Sequence, residues 1–453
     1  MDKLLIINAV GLTEDLISSD TPNLKYYYDQ NHQYLIPPYP AVTCTSQATL
    51  LTGKTPQEHG IVANGWYFRD LSQVLLWRQT NQLIEGEKIW DRLKDKNHKF
   101  KCAKMFWWYN MYSTADISAT PRPIYRSDGA KYPGSYTFPP ELNDELEREL
   151  GTFPLFSFWG PMTSIKSTQW IADSSIHIMN KDKPELCLVY LPHLDYNLQR
   201  VGPHHPSIKK DMQELDKVIG DLRLCANNNG YEVMILSEYG IQEVDTPVHI
   251  NKALRKEGMI EVRTEVGEDH FDPGASRAFA LADHQIAHVY VKDPKDIART
   301  VSILEKLDGI DQILVGEERE KVQLNHPRSG EIICLAKKNA WFTYYYWLDD
   351  RLAPDYARCV DIHRKPGYDP VELFMVPGGK LKAAKSVLKK KLGFRYLMDV
   401  IPLDATLVKG SHGVPTEKPE DGPLLISSVK LRNPTEPLPM ENFSRIVENF
   451  FEG

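Results

Sequence analysis

The chain alternates short apolar runs with amphipathic segments, and this pattern predicts its fold class. Runs typical of buried strands occupy residues 4–8, 101–106, Leu186–Leu191, 233–237 and Ile286–Val291. Strands that alternate with helical patterns are typical of a mostly parallel central sheet covered by helices on both faces. The pattern therefore predicts an α/β protein.

One helix is especially well marked. Its apolar residues recur at helical spacing and are Ile208, Met212, Leu215, Ile219 and Leu222. Ser207 can cap its start, and Gly230 lies just past its expected end. Because strand candidates flank it on both sides, we expect a β-α-β unit here.

Two segments depart from this alternation within what we expect to be a single domain, 1–453. Residues 116–160 are rich in Pro, Tyr, Phe and Trp without clear periodicity, which favours an inserted cap. Residues 286–336 follow the order strand, helix, strand, strand and predict a small α/β lobe. In open α/β sheets ligands gather at the carboxyl ends of strands, so Val10, Asp195 and Glu238 are the first candidates for a site.

Composition narrows the classes of function. A hydrophobic content of 42% with 25% charged residues is ordinary for a soluble globular protein. A net charge of −7 argues against a nucleic-acid polymer as partner, because phosphate-tracking surfaces are usually basic. The apolar run at the start of the sequence is too short, and polar residues follow it too early, for a signal peptide. No run approaches the ~20 apolar residues of a membrane helix. Six scattered cysteines indicate reduced thiols, so we expect a cytoplasmic protein.

The segment 39–64 carries the strongest chemical signal. Thr43 offers a hydroxyl after a Pro-containing turn, and the run 48–51 suits the first turns of a helix, whose N–H groups attract anions. A threonine hydroxyl is a poor nucleophile at neutral pH, so attack on phosphorus needs a metal ion or an adjacent base. Taken alone, Thr43 is more typical of a Pro turn followed by an ordinary helix with polar caps than of catalysis. A P-loop at 53–55 is excluded because Ala48 stands where that motif needs glycine.

The spacing of this segment resembles the nucleophile region of type I phosphodiesterases and nucleotide pyrophosphatases, in the alkaline phosphatase superfamily. Thr43, Thr52-Gly53 and His59-Gly60-Ile61 fall at the family's offsets, whereas Ser46 replaces the family's Asn. The resemblance implies an alkaline-phosphatase-like fold with inserted cap segments. It also implies metal-dependent hydrolysis of a phosphodiester or pyrophosphate bond in a small phosphorylated substrate, through a covalent threonine intermediate.

Members of the family hold two divalent metal ions, usually zinc, and the resemblance implies one or two such ions here together with their ligands. Asp195 and His412 match family ligands, and Glu238 keeps a carboxylate where the family has Asp. Three family ligands are replaced, by Val10, Gln199 and Tyr239. A single zinc ion typically takes three protein ligands, a number that Asp195, Glu238 and His412 would supply. Possible substitute ligands are Asp361, His363 and His284, of which Asp361 and His363 would share one face of an extended segment.

The remaining residues leave alternatives open. Ser46 or backbone N–H groups could stabilise the developing charge, and Asn64 is a candidate substrate contact. The lost ligands favour an alternative, a catalytically inactive or repurposed member that binds a phosphorylated or lipid-like metabolite. A third possibility is phosphoryl or other ester transfer with a single metal.

Residues 380–395 predict a basic amphipathic helix. Seven Lys and Arg residues occur there without an acidic residue, and leucines recur at helical spacing. Such a helix either makes weak contact with an anionic membrane surface or presents a solvated face while docked on the protein.

Overall fold

The computed structural model describes residues 2–127, 130–431 and 436–453, and its largest element is a nine-stranded central sheet. Seven strands point one way, and the strands Leu424–Ser427 and Ser135–Phe138 run antiparallel to their neighbours. The predicted α/β architecture with a mostly parallel sheet is confirmed. In spatial order the strands are Leu438–Pro439, His32–Ile36, Leu424–Ser427, Glu232–Leu236, Leu4–Ala9, Leu186–Leu191, Cys102–Met105, Ile117–Pro121 and Ser135–Phe138.

A second sheet is four-stranded and antiparallel. Its strands, in spatial order, are Ala278–Asp283, Ile286–Val291, Ile332–Ala336 and Ile310–Val315. The segment 286–336, predicted as a small lobe, supplies three of these strands. Five two-stranded pairs complete the described strands: Gly65–Phe68 with Gln73–Leu76, Ile124–Tyr125 with Lys131–Tyr132, Gln242–Glu243 with Gly410–Ser411, Thr246–Val248 with Ala340–Phe342, and Glu261–Glu265 with Glu268–Asp272.

Helices pack around these sheets. The well-marked helix is confirmed at Ile208–Asn229, and it ends where Gly230 adopts a left-handed φ of 72° that favours glycine. The other α-helices are Pro22–Tyr28, Thr43–Thr52, Pro56–His59, Ile89–Lys96, Leu142–Leu150, Ile165–Lys181, His193–Val201, Ile250–Lys256, Ile297–Leu304, Gly379–Lys391 and Phe443–Glu452. In the described ranges, no helix combines the length and apolar character needed to cross a membrane.

Apolar side chains form two buried clusters, which we call the main core and the second core. The main core surrounds the central sheet, and the second core surrounds the four-stranded sheet. The helix Thr43–Thr52 contributes to both, because Leu50 and Leu51 pack in the main core while Cys44 and Ala48 pack in the second. This helix therefore lies between the two cores.

The segment 116–160 begins as part of the central sheet. Its strands Ile117–Pro121 and Ser135–Phe138 extend that sheet at one edge, and the helix Leu142–Leu150 follows. Asp128 and Gly129, within this segment, lie outside the described residues. That the segment acts as a cap stays a prediction.

Candidate active site

Three neighbouring parallel strands bring candidate residues to one edge of the central sheet. Leu4–Ala9 lies between Leu186–Leu191 and Glu232–Leu236, so the carboxyl ends of the three strands meet. Asp195 lies in the helix that follows the second strand, and Glu238 lies two residues past the end of the third. The site therefore forms where α/β sheets usually bind ligands.

Thr43 faces this edge from the start of a buried helix. The helix begins at Thr43 itself and not near Ala48, where the sequence suggested its first turns. Val42 precedes it with extended backbone, and all residues of the helix are buried. Because the first N–H groups of a helix lack intrahelical partners and its dipole is positive there, negative charge is stabilised beside Thr43.

A chain of hydrogen bonds links Thr43 to Asp195. The Thr43 Oγ1 atom lies 3.2 Å from the Tyr239 hydroxyl oxygen, and that hydroxyl donates to Asp195 Oδ1 over 3.1 Å. Gln199 Nε2 donates to Asp195 Oδ2 over 2.7 Å. Burial raises the pKa of Asp195 to about 7, although these two hydrogen bonds act to lower it. Tyr239 and Gln199, which replace family histidines, thus occupy both oxygens of Asp195.

Glu238 lies fully buried on the other side of Thr43. Its Oε1 accepts hydrogen bonds from Asn8 Nδ2 over 2.5 Å and from Gln47 Nε2 over 2.6 Å. Burial raises its pKa to about 8, against the effect of these bonds and of the nearby Thr43 hydroxyl. In the described structure its Oε2 has no hydrogen-bond partner, so one carboxyl oxygen remains available at the site.

His412 presents a free ring nitrogen to the same space. Its ring stacks on Tyr239 with 3.5 Å between centroids, and its Nδ1 lies 2.7 Å from the Ala41 carbonyl oxygen. Because a carbonyl only accepts, Nδ1 carries the proton and Nε2 is an acceptor. This Nε2 lies 3.9 Å from Asp195 Oδ1 and has no hydrogen-bond partner among the described residues. Burial lowers the pKa of His412, which keeps the ring neutral.

Two further rings close the site. His284 lies between His412 and Tyr368, with 3.7 Å between ring centroids on each side. Its Nδ1 is 2.8 Å from Asp283 Oδ1, while the Tyr368 hydroxyl donates to Gln199 Oε1 over 2.9 Å. Thr43 is only 5% exposed, and the rings around it are equally buried, so a substrate reaches the hydroxyl only after some of these groups move.

The two predicted substrate contacts, Ser46 and Asn64, make internal hydrogen bonds. The Ser46 hydroxyl donates to the Glu238 carbonyl oxygen over 3.3 Å. Asn64 accepts from the Cys44 backbone N–H over 3.0 Å and donates from its own backbone and side chain to the Asp283 carboxylate. Both residues therefore brace the helix that carries Thr43, and their contact with a substrate stays a prediction.

Two of the possible substitute ligands lie apart from this network. Asp361 and His363 occupy a turn, so the extended segment that would have placed them on one face is wrong. The turn forms because the Arg364 backbone N–H bonds back to the Asp361 carbonyl oxygen. The Asp361 backbone N–H donates to Glu372 Oε1 over 2.8 Å. Of the three possible substitute ligands, His284 is the one that lies at the site, where its ring packs against the ring of His412.

The residues present do not fit the family's pair of metal ions. Val10 offers no ligand atom, and the Tyr239 hydroxyl bonds to the carboxylate that an ion would use. In the described ranges, Asp195, Glu238 and His412 also fail to bring three ligand atoms within 4.8 Å of one another. The structure thus gathers the predicted ligands around Thr43 without forming a coordination shell.

Sequence reasoning missed three polar residues of the site. Asn8 interrupts an apolar strand, which is a usable signal, because a polar residue fully buried in a strand needs a partner. Gln47 lies four residues after Thr43, on the same face of the helix, so helical spacing could have found it. Tyr368 lies in a loop far along the chain and carries no local signal.

Comparison with known proteins identifies relatives of this chain. A family model described as type I phosphodiesterase / nucleotide pyrophosphatase matches residues 4–369. An uncharacterised pyrophosphatase/phosphodiesterase of Schizosaccharomyces pombe is 25% identical over 62% of this chain and 53% of its own length. Ectonucleotide pyrophosphatase/phosphodiesterase 1 of Saccharomyces cerevisiae is 22% identical over 54% of this chain and 35% of its own length. The chain thus spans about half or less of these curated relatives.

Solved structures show the same fold. Murine ectonucleotide pyrophosphatase/phosphodiesterase 5 superposes with a TM-score of 0.59 at 13% identity, covering 100% of this chain and 95% of that one. Phosphonoacetate hydrolase from Sinorhizobium meliloti gives a TM-score of 0.60 at 12% identity, covering 99% and 95%. The family model includes the Thr43 segment and most of the remaining sequence, and the chain belongs to the type I phosphodiesterase / nucleotide pyrophosphatase family.

Proposed function

We propose that the protein hydrolyses a phosphodiester or pyrophosphate bond in a small phosphorylated molecule, with Thr43 as the nucleophile. The observation that carries this proposal is the position of the Thr43 hydroxyl, at a helix N-terminus between Glu238 and the Tyr239–Asp195 pair. A solved structure of murine ectonucleotide pyrophosphatase/phosphodiesterase 5 is described as an inactive threonine-to-alanine variant in complex with AMP. That description supports both a threonine nucleophile and a nucleotide-like substrate here.

The proposed reaction has two steps. The Thr43 oxygen bonds to phosphorus while the bond from phosphorus to the leaving oxygen breaks, and the leaving group takes up a proton. The oxygen of a water molecule then bonds to phosphorus while the bond from phosphorus to Thr43 Oγ1 breaks. The phosphate product leaves, and a proton from the water restores the Thr43 hydroxyl. In its ionised form Glu238 accepts the Thr43 proton, and the helix N-terminus stabilises the negative charge on the phosphoryl oxygens.

The raised pKa of Glu238 sets the pH dependence of this mechanism. With a pKa of about 8, the carboxyl group is mostly protonated at neutral pH, so the base form becomes more abundant as the pH rises. We expect kcat/KM to rise with pH and to level off above about pH 8. Glu238→Gln should lower the plateau about a hundredfold and remove the rise.

A divalent metal, with zinc as the expected ion, is a separate part of the proposal. A single ion shared by Asp195, Glu238 and His412 stays a prediction, because the structure does not gather their ligand atoms closely. No step above depends on it. Elemental analysis of the wild type and of His412→Ala tests this ion. The loss of about one equivalent of metal in His412→Ala would support it, and equal metal content in the two proteins would exclude this set of ligands.

A second function is favoured by the hydrogen bonds of Asp195. Tyr239 and Gln199 satisfy both of its oxygens, and a pocket organised in this way could bind a phosphorylated or lipid-like metabolite without hydrolysing it. In that case the wild-type protein would bind AMP and show no turnover.

Thr43→Ala separates the two functions, and Thr45→Ala is its matched control. Thr45 is buried in the same helix two residues away. With bis(p-nitrophenyl) phosphate as substrate, we expect Thr43→Ala to lose more than about a thousandfold in kcat, and Thr45→Ala to stay near wild type. Mass spectrometry of acid-quenched wild type should detect the adduct on Thr43. Equal turnover by wild type and Thr43→Ala would remove Thr43 from the mechanism.

We also propose that the protein works in the cytoplasm. Its six cysteines are free thiols and five are buried, as expected for a protein that folds in a reducing compartment. Fractionation of the cells that make it tests this. Recovery outside the cytoplasm would contradict the proposal.

Weak contact with an anionic membrane surface is a further part of the proposal. The helix Gly379–Lys391 exposes Leu381 and Leu388 beside its lysines, and Leu392 follows with 64% of its surface exposed. Apolar and basic groups side by side suit the surface of an anionic bilayer. Leu388→Glu should reduce sedimentation with phosphatidylserine vesicles, whereas Leu224→Glu, at an exposed leucine elsewhere, should not. Equal sedimentation of all proteins would contradict the contact.

A further inference from the structure

A histidine and two carboxylates meet outside the Thr43 site, where the helix His193–Val201 packs on the helix Ile208–Asn229. His193 Nε2 lies 3.2 Å from Glu214 Oε2 and 3.6 Å from Asp211 Oδ1. One ligand atom from each residue falls within 4.8 Å of the other two, and no other trio of His, Cys, Asp or Glu does so in the described ranges. The three side chains therefore converge on one point.

The state of His193 is the observation that points to a ligand. The residue is 4% exposed, yet neither of its ring nitrogens has a hydrogen-bond partner in the described structure. Buried polar atoms are normally hydrogen-bonded, because an unpaired one has lost its bonds to water and gained none in return. The Nε2 atom faces two carboxylates without the alignment of a hydrogen bond. A metal ion between the ring and the carboxylates would use that nitrogen.

The two carboxylates are held for this role in different ways. Asn197 Nδ2 donates to Asp211 Oδ2 over 2.8 Å, which leaves Oδ1 directed at His193. Hydrogen bonds of this kind orient metal ligands. Glu214 is one-third exposed, and its other oxygen lies 3.7 Å from Lys210 Nζ. An ion could therefore enter from solvent beside Glu214, while His193 and Asp211 hold it from within.

We propose that His193, Asp211 and Glu214 bind a divalent transition-metal ion, with manganese or zinc as the expected ion. One imidazole nitrogen with two carboxylate oxygens suits these ions, whereas calcium and magnesium favour oxygen ligands alone. Three protein ligands leave room for water to complete the shell. The ion would link the helix that carries Asp195 to the Ile208–Asn229 helix. The site is separate from the one predicted around Thr43, because the two share no ligand.

Direct binding measurements test the site. Metal-free protein is titrated with Mn²⁺, and the loss of the free-ion electron paramagnetic resonance signal counts bound ions; Zn²⁺ is then added as competitor. The count is made in His412→Ala, so that the ligands predicted around Thr43 do not contribute. We expect one ion per chain there, and we expect Glu214→Gln and His193→Gln to weaken its binding at least about tenfold. His205→Gln is the matched control, because His205 is an exposed histidine nearby that bonds to Ser207. It should bind as wild type does.

The outcomes distinguish this site from the one predicted around Thr43. Binding that survives in His412→Ala but weakens in Glu214→Gln supports the proposal. Because Glu214 is partly exposed, that variant should fold even where His193→Gln does not. Wild-type protein that leaves the free-ion signal unchanged at millimolar Mn²⁺, or that binds equally well in Glu214→Gln, would overturn the proposal. In that case the three side chains pack together without an ion between them.

Discussion

Replacing Glu238 by Gln should change how the stability of the protein depends on pH. Glu238 is fully buried, and burial raises its pKa from the ordinary value of 4.5 to about 8. At a pH between 4.5 and about 8, Glu238 has lost its proton in the unfolded chain and keeps it in the folded chain. The folded state then binds more protons, so the free energy of unfolding falls as the pH rises from 4.5 to 8, and the loss is complete above that range.

The size of the effect follows from the same two values. They differ by about 3.5 pH units, each worth 1.36 kcal/mol, so Glu238 destabilises the fold by about 5 kcal/mol at pH 8 relative to pH 4.5. Gln cannot ionise, and its amide oxygen can accept the bonds from Asn8 and Gln47 that Glu238 Oε1 accepts now. The variant should therefore gain up to about 5 kcal/mol over wild type across this range.

Urea unfolding of both proteins, at intervals from pH 4.5 to 8.5, measures this difference. Asp195→Asn is the matched comparison, because burial raises the pKa of Asp195 from 3.8 to about 7 and its effect should end near pH 7 instead of pH 8. A free-energy difference between Glu238→Gln and wild type that does not change with pH would refute the reasoning. It would mean that Glu238 is ionised in the folded protein. If Glu238 also acts as the base, the more stable variant should be the slower enzyme.

Three other changes test the site and the fold. The double substitution Tyr239→His with Gln199→His places two imidazoles beside Asp195. Elemental analysis should find more zinc bound to this variant than to the wild type. Equal zinc content would show that imidazoles at these two positions do not bind the ion. Asn64→Ala removes the side-chain bond to the buried Asp283 carboxylate and the bond from the Cys44 backbone N–H, but keeps the backbone bond to Asp283. It should lower the free energy of unfolding in urea by about 3 kcal/mol, so a change under about 1 kcal/mol would contradict this role. Gly240→Ala would place a Cβ atom 2.0 Å from a backbone carbonyl oxygen and should cost about 2 kcal/mol or more, seen as a lower Tm; an unchanged Tm would show that the backbone yields freely.

Local pattern was enough to predict much of the fold. The apolar run Leu186–Leu191 is a strand with the predicted bounds, and the helix Ile208–Asn229 starts directly after Ser207 and ends before Gly230. The predicted cap is wrong in one respect: Ser207 makes no capping hydrogen bond, and its hydroxyl oxygen lies 2.8 Å from His205 Nδ1. Both features depend on hydrophobic periodicity and on Ser and Gly signals that lie close together in sequence. The run Ile286–Val291 also predicts a strand. Periodicity does not say which sheet a strand joins, and this strand lies in the four-stranded sheet.

The candidate site was predictable only where a motif marked it. Spacing identified Thr43, Asp195 and His412, and the structure brings these three together. The bonds that set the properties of the site connect distant positions: Asn8 reaches Glu238 across 230 residues, and Tyr368 reaches Gln199 across 169. Such contacts follow from how strands and loops are arranged in space, which no local pattern records.

The position of the Thr43 helix between the main core and the second core has a consequence for how a reaction there would proceed. A side chain at the start of a helix that is held from two sides has little freedom to move, so the Thr43 oxygen of the proposed reaction is already oriented before any ligand arrives. Its orientational entropy is lost once, when the chain folds, and not again in every turnover. Thr43 would therefore stay in place during the proposed reaction, while the incoming molecule and the stacked rings that cover Thr43 would move.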